Sequence, residues 1–230
     1  MVRRVLGADA CKTGWVGVVL DEAFDVEVLY APAISELVAL AEAGGALAVV
    51  GIDMPIGFPD TGRRQADLLA RDAVGPRRSS VFLTPVREAL EAADHATAVR
   101  LNRARTGDGI SIQAFSLRTK LFEVDRWIRE TSARAVEIHP EVSFARMAGA
   151  PLPDSKVTWA GAERRRTLLA GAGIRLTGEF GLAGRLARVD DVLDAAAVAW
   201  SARRVATGAA QSLPDPPDTH SDGWPCAIWA

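Results

Sequence analysis

One segment, Ala46 to Pro55 with the sequence ALAVVGIDMP, constrains the fold more than any other. Its apolar residues follow one another without alternation until Asp53, and this pattern is typical of a central strand whose two faces are both covered. The preceding segment, ISELVALAEAGG, places its large apolar residues on one face and ends in glycines, which predicts a helix and its end. A helix that leads into such a strand indicates a parallel crossover, and therefore an α/β fold.

The segments on either side of this helix and strand complete a mixed sheet. We predict three antiparallel strands before the helix, in the short β-rich runs RRVLGADAC, GWVGVVLDEA and DVEVLYAP. Helical patterns predict an insertion at about 59–130, and strand character returns in ARAVEIHPE. Two further helices are predicted in SKVTWAGAERRRTLLAGAG and RVDDVLDAAAVAWSARRVATG, whereas the Pro- and Asp-rich tail from residue 211 has no predicted element. We expect one domain over residues 1–230.

Composition limits the class of protein. The 230 residues carry a formal net charge of −2, which gives no bulk attraction for nucleic acid, although a local basic cleft is compatible with that total. The N-terminal segment has no apolar run of the kind that a secretory signal requires, and Cys11 and Cys226 lack the spacing of metal ligands. We therefore expect a cytoplasmic protein. No apolar run approaches the roughly 18 residues of a membrane span, so we expect no membrane association.

Four aspartates stand at the ends of predicted core elements. Asp9 ends the first strand and Asp53 ends the central strand, while Asp191 and Asp194 share one face at the start of the last helix because they are three residues apart. If these ends meet, the carboxylates repel one another unless a cation lies between them. Carboxylate oxygens favour Mg²⁺ or Mn²⁺, and a pair of such ions would support phosphoryl transfer by a two-metal-ion mechanism.

Each aspartate also has an ordinary structural alternative. An aspartate at a helix start commonly caps the helix, which would suit Asp190. Asp53 could form a turn with the Met-Pro pair that follows it, and Asp9 could support a hairpin turn near Lys12. Asp194 is harder to explain in this way, because it lies in the second turn of an apolar helix. The combination of these positions favours a metal site.

Several motifs together resemble one protein family. They are GADACKTGWVGVVLD, GIDMPIGFPD, RRSSVF, SIQAF, EIHPEVSF and DDVLDAAAVAW, spread from residue 5 to about residue 205. In these motifs the chain resembles DUF429, a family described as predicted nucleases with a ribonuclease H-like fold. The resemblance implies a ribonuclease H-like mixed sheet and a two-metal nuclease site in which Asp9, Asp53 and Asp191 match the acids of the fold. The DVLDAA segment resembles the paired aspartates of Holliday-junction resolvases, and so brings in Asp194.

Further residues are candidates for proton transfer or substrate binding. His139 and Glu141 lie at the end of a predicted strand. We interpret His139 as a metal ligand, general base or proton shuttle, with a buried, hydrogen-bonded histidine as the ordinary alternative. Glu141 is interpreted as an extra ligand or an orienting residue, with Glu137 as a weaker candidate. The ERRR run from Glu163 is interpreted as a solvated helix face. Cationic and hydroxyl side chains that could contact a phosphate are Lys12, Arg78, Ser79, Ser80 and Lys156.

Three aromatic residues, Phe82, Phe115 and Trp159, are candidates for stacking on bases, although packing in the core is the more common use of such residues.

We interpret the chain as a metal-dependent nuclease, a phosphodiesterase that hydrolyses nucleic acid. GADACKTGWVGVVLD also resembles the first phosphate hairpin of actin-like sugar kinases, which would imply an ATP-dependent phosphotransferase or ATPase, but no second hairpin motif appears. A non-catalytic module that binds a nucleotide or nucleic acid on the same fold is the third interpretation. The helical insertion is large enough to bear a homodimer interface.

Overall fold

The computed structural model describes residues 4–230 and contains a seven-stranded mixed sheet. Its strands are β1 Arg4–Cys11, β2 Gly14–Leu20, β3 Val26–Ala31, β4 Leu47–Ile52, β5 Ala135–Glu137, β6 Ser212–Thr219 and β7 Pro225–Trp229. They follow the order β3-β2-β1-β4-β5-β7-β6 across the sheet. β1 to β3 pair antiparallel, whereas β4, β5 and β7 continue parallel to β1. The predicted mixed α/β sheet is confirmed, and it is consistent with a ribonuclease H-like fold.

Helices connect and cover these strands. They are α1 Ile34–Ala43, α2 Gln65–Ala73, α3 Arg87–Leu90, α4 His95–Thr106, α5 Ile112–Ser116, α6 Arg118–Glu130, α7 Pro140–Ala148, α8 Trp159–Gly171, α9 Gly181–Leu186 and α10 Val189–Thr207, with a 3-10 helix at Gly75–Ser80. The helices α2 to α6 fall between β4 and β5, where the sequence predicts a helical insertion. Within residues 4–230, no helix is long and apolar enough to cross a membrane.

The sheet is covered on both faces, with α10 on one side and α1 and α6 on the other. Alternation along β1 produces the two sides, because Val5 packs with α10 and Leu6 packs with α1. At Gly7 the helix α10 comes so close that a Cβ atom would stand 2.1 Å from the backbone nitrogen of Ala199. This close approach packs the backbone of α10 directly against β1.

The chain after residue 211 differs from its prediction. The segment that has no predicted element forms β6 and β7, which extend the sheet at one edge. Pro214, Pro216 and Pro217 lie within β6 and hide the strand pattern, because proline lacks the N–H group that a central strand needs. β6 accommodates them because it is the edge strand.

The segment after β5 is also corrected. The predicted strand ends at Glu137, and α7 begins at Pro140, so Glu141 lies in the first turn of a helix and not at the end of a strand. The physical reason is Pro140 itself, since its fixed φ and missing N–H suit the first position of a helix.

Candidate metal centre

Two of the predicted acids lie side by side at the ends of neighbouring parallel strands. Asp9 is in β1, two residues before its end, and Asp53 directly follows β4. Ala8 and Ile52 are partners in the register of β1 and β4, and the backbone N–H of Asp53 donates to the carbonyl of Ala8 at 2.9 Å. The hydrogen-bonded register therefore holds both carboxylates together at the carboxyl ends of these two strands.

Asp194 completes the cluster from α10. Its side chain is fully buried, because the face of α10 around it packs against β1 and β4. One carboxylate oxygen from each of Asp9, Asp53 and Asp194 lies within 4.8 Å of the others. The prediction that these acids, far apart in the sequence, meet at one place is confirmed.

Burial raises the pKa of each carboxyl group in this cluster. For Asp9 the removal from water is the largest cause, and the negative charges of Asp53 and Asp194 add to it, so its pKa lies well above the ordinary value. Burial raises the pKa of Asp53 to about 7 and that of Asp194 to about 7. Because three carboxyl groups with raised pKa values lie together, binding of a cation between them would be strongly favoured.

Lys156 brings a positive charge to this cluster. Its ammonium donates to Oδ2 of Asp194, and its charge opposes the rise in pKa of Asp9 and Asp53. Burial by itself would lower the pKa of Lys156, but the ion pair with Asp194 raises it. Lys156 therefore remains charged and compensates part of the negative charge.

The donor set fits a hard divalent cation. All three groups offer carboxylate oxygens, which are the ligands that Mg²⁺ and Mn²⁺ prefer. Oδ1 of Asp194 is buried and has no hydrogen-bond partner within residues 4–230. A buried carboxylate oxygen without a partner is costly, and a metal ion would supply the missing interaction.

Asp191 lies one turn before Asp194 and has a different contact. Its Oδ2 accepts the backbone N–H of Arg188, the residue before the start of α10, at 2.9 Å. The two aspartates share a helix face, as predicted, but the carboxylate group that meets Asp9 and Asp53 belongs to Asp194. A ligand role for Asp191 stays a prediction.

Glu141 forms an ion pair that the sequence does not reveal. Both of its oxygens accept hydrogen bonds from the guanidinium of Arg165, at 2.7 Å from Nη2, and both side chains are buried. Arg165 belongs to the ERRR run, so the interpretation of this run as a solvated face is wrong at that position. Helical spacing offers a signal, because buried Gly161 and Leu169 lie four residues away on the same face.

A second buried arginine, Arg64, forms an ion pair with Glu137 that the sequence does not reveal. It donates to Oε2 of Glu137 at 2.6 Å, to Oγ1 of Thr84 at 3.0 Å and to Sγ of Cys226 at 3.0 Å. Glu137 also accepts the backbone N–H of Ile56 at 2.8 Å. Glu137, which lines the same cavity as Asp9 and Asp53, is thus held by partners on two sides.

His139 lines the same cavity as Asp9 and Asp53. Its Nδ1 is buried and has no hydrogen-bond partner in the part of the chain that the structure describes, and burial lowers the pKa of its imidazole. Ser80 lines the cavity as well, at the end of the exposed segment Arg78–Ser80. Lys12 is exposed in the turn between β1 and β2. Substrate contacts by these residues stay predictions.

The aromatic candidates have separate environments. Phe115 is buried and contacts His95 and Arg118, as expected for a packing residue. Phe82 lines the cavity, and Trp159 is exposed on α8.

Comparison with known proteins gives one family. The family model described as "Protein of unknown function (DUF429)" matches residues 7–219. Neither the curated proteins nor the solved structures contain a match to this chain. The match spans β1 to β6, and so includes every member of the carboxylate cluster.

Proposed function

The chain belongs to the DUF429 family, and we propose that it is a metal-dependent phosphodiesterase that hydrolyses nucleic acid. One observation carries this proposal: the oxygens of Asp9, Asp53 and Asp194, supplied by two parallel strands and the helix that crosses them, lie within 4.8 Å of one another. The consistency of the sheet with a ribonuclease H-like fold supports the same proposal, although a fold alone does not determine a function.

In this proposal the carboxylates of Asp9, Asp53 and Asp194 hold Mg²⁺ or Mn²⁺. Such an ion, when bound, supplies positive charge that polarises a phosphodiester and favours the ionisation of water. Residues of the chain orient the substrate: Lys156 and the exposed Arg78 attract its phosphate.

His139 is the residue that we assign to proton transfer. Its Nδ1 is buried and has no hydrogen-bond partner among the described residues, so its lone pair is not engaged by another residue of the pocket. The lowered pKa of His139 keeps the imidazole neutral near pH 7, which suits a group that accepts a proton. The ion pair with Arg165 makes Glu141 a support of this pocket in our proposal and not a ligand.

A second candidate function is a binding module that works without a metal. The observation that favours it is the ion pair between Lys156 and Asp194, which already compensates one of the three carboxylates. The actin-like phosphotransferase is less favoured, because residues 4–230 contain one such sheet, whereas that class uses a duplicated one.

Titration calorimetry with Mn²⁺ tests the metal site directly. We expect saturable binding by the wild type and its loss in Asp53→Asn, whereas Asp72→Asn, which changes an exposed aspartate of α2, should bind as the wild type does. Absence of Mn²⁺ binding by the wild type would favour the metal-free module.

Hydrolysis is tested with single-stranded DNA, duplex RNA, RNA–DNA hybrid and branched DNA, each with Mn²⁺ or with EDTA. We expect cleavage of at least one of these only when Mn²⁺ is present, and its loss in Asp53→Asn. Hydrolysis of ATP with all polynucleotides intact would contradict the nuclease proposal.

A further inference from the structure

Trp159 is the most exposed large hydrophobic residue of the described chain. It is 82% exposed, compared with 58% for Leu182 and 67% for Val189. A single exposed apolar residue needs no special explanation. What gives its exposure a meaning is its place in the chain, three residues after Lys156, which contacts the carboxylate cluster.

A short rigid turn connects Trp159 to the cluster. Lys156, whose ammonium contacts Asp194, is three residues earlier, so the two Cα atoms are at most about 11 Å apart. The carbonyl of Ser155 accepts both the backbone N–H of Thr158 at 3.0 Å and its hydroxyl at 2.8 Å. Thr158 in turn caps α8 by accepting the N–H of Gly161 at 3.1 Å.

Close packing fixes this turn further. A Cβ atom on Gly161 would lie 1.9 Å from the carbonyl oxygen of Ser155, so α8 and the turn are in direct backbone contact. The backbone of Trp159 is therefore held in a defined position, which reduces the backbone entropy that this segment would lose on contact with a ligand.

Cationic residues adjoin the same turn. Nη2 of Arg77 donates to Oγ of Ser155 at 3.3 Å, which joins the 3-10 helix to the turn, and Arg78 next to it is exposed. Together with Lys156 they outnumber the exposed Asp154 of the same turn, so the turn would attract a polyanion. Glu163, one turn further along α8, is exposed and limits the favourable surface to the start of the helix.

We propose that Trp159 stacks on an unpaired base next to the phosphate that Lys156 and Arg78 attract. Every base offers a π-face, so an exposed indole beside cationic groups binds single strands without reading their sequence. A base within a duplex is already stacked on its neighbours and cannot use this surface. The substrate is therefore single-stranded at the site of cleavage. This inference rests on the proposed function.

The test measures binding of two fluorescently labelled 12-mers in EDTA by anisotropy: a single-stranded DNA and a matched strand in which every residue is an abasic tetrahydrofuran. For Trp159→Ala we expect the Kd of the normal strand to rise at least about fivefold, the lower end for one stacked base. The Kd of the abasic strand should stay unchanged. Trp159→Phe should recover part of the affinity, and Leu182→Ala, an exposed residue of α9, should match the wild type.

The outcomes separate this inference from the proposed function. Equal Kd values for Trp159→Ala and the wild type, or an equal loss on both strands, would overturn the stacking role even if Mn²⁺-dependent hydrolysis is found. A loss confined to the normal strand, in a protein that hydrolyses nothing, would support stacking and contradict the nuclease. A change of dimerisation in Trp159→Ala, measured by sedimentation with no change in Kd, would assign Trp159 to an interface between copies and overturn the inference.

Discussion

Lys156 is the residue on which the charge balance of the carboxylate cluster depends. Lys156→Ala would leave Asp194 buried without its ion-pair partner. Removal of one partner of a buried pair costs about 3–5 kcal/mol; because the side chain of Lys156 is 34% exposed, we expect a loss of about 1–3 kcal/mol in EDTA. Mn²⁺ should restore most of it, because the ion would supply the missing positive charge. Urea unfolding of both proteins, with EDTA or Mn²⁺, measures this.

A matched control for Lys156→Ala is Lys120→Ala. Lys120 pairs with Glu123 at 2.9 Å on α6, and its side chain is also partly exposed. The change in stability of this variant should not depend on Mn²⁺. If Mn²⁺ left the loss in Lys156→Ala unchanged as well, the cluster would not bind the ion in the proposed way.

The raised pKa values of the same cluster predict how stability varies with pH when no metal is bound. The pKa of Asp53 and of Asp194 is about 7 in the folded protein, compared with 3.8 for an unperturbed aspartate. Between these values the folded state binds more protons than the unfolded state. The stabilisation that these two groups contribute is therefore complete below pH 3.8 and is lost as the pH rises through about 7. The imidazole of His139 has the opposite effect on stability, because its pKa is lowered. Its single titration is outweighed by those of the two carboxyl groups.

We therefore expect the free energy of unfolding in EDTA to fall from pH 5 to pH 8. Urea unfolding at intervals across this range measures the slope, and Asp53→Asn should reduce it, because one of the titrating carboxyls is gone. Saturating Mn²⁺ should flatten the slope in the wild type. Stability that rises with pH in EDTA would mean that the carboxylates are ionised in the folded protein without a cost.

At the scale of elements, α7 and α8 are joined by the ion pair between Glu141 and Arg165, in which both side chains are buried. We expect Arg165→Met to lower the free energy of unfolding by about 3–5 kcal/mol, because it leaves a buried carboxylate unpaired. The double variant Glu141→Leu with Arg165→Met should recover most of this loss, since an apolar pair of similar size can replace a buried ion pair.

The same variants test the role of Glu141 in the pocket. Mn²⁺ affinity of the double variant, measured by titration calorimetry, should stay within a few-fold of the wild type if Glu141 supports the pocket only through Arg165. Loss of Mn²⁺ binding in a double variant with recovered stability would restore Glu141 as a ligand, as the sequence alone suggests.

For the whole molecule, the sequence predicts those features that depend on local patterns. The central strand and Asp53 at its end are predicted because an apolar run followed by an acid is a local signal, and the same holds for Asp194 within an apolar helix. The ion pairs of Arg64 and Arg165 escape prediction, because their partners lie 73 and 24 residues away and arginines in helical segments usually face solvent. Only the assembled fold brings these charges together.

The sheet is weakly paired between β5 and β7. A single register pair, Glu137 with Ile228, joins these strands, whereas β1 and β4 share five. Arg64 connects these two strands, because it donates both to Glu137 in β5 and to Cys226 in β7. The hairpin of β6 and β7 should therefore open more easily than the rest of the sheet.

Hydrogen exchange followed by mass spectrometry or NMR checks this prediction. In the wild type, we expect the amides of β7 to exchange faster than those of β1, although both strands are internal to the sheet. In Arg64→Met the exchange of β7 should rise at least about tenfold more than that of β1, because the side chain that links β5 to β7 is gone. Arg103→Met, a change at an exposed arginine of α4, should leave both strands unchanged. If β7 and β1 lost protection equally in Arg64→Met, the sheet would unfold as one unit, and β7 would not separate from β5 independently.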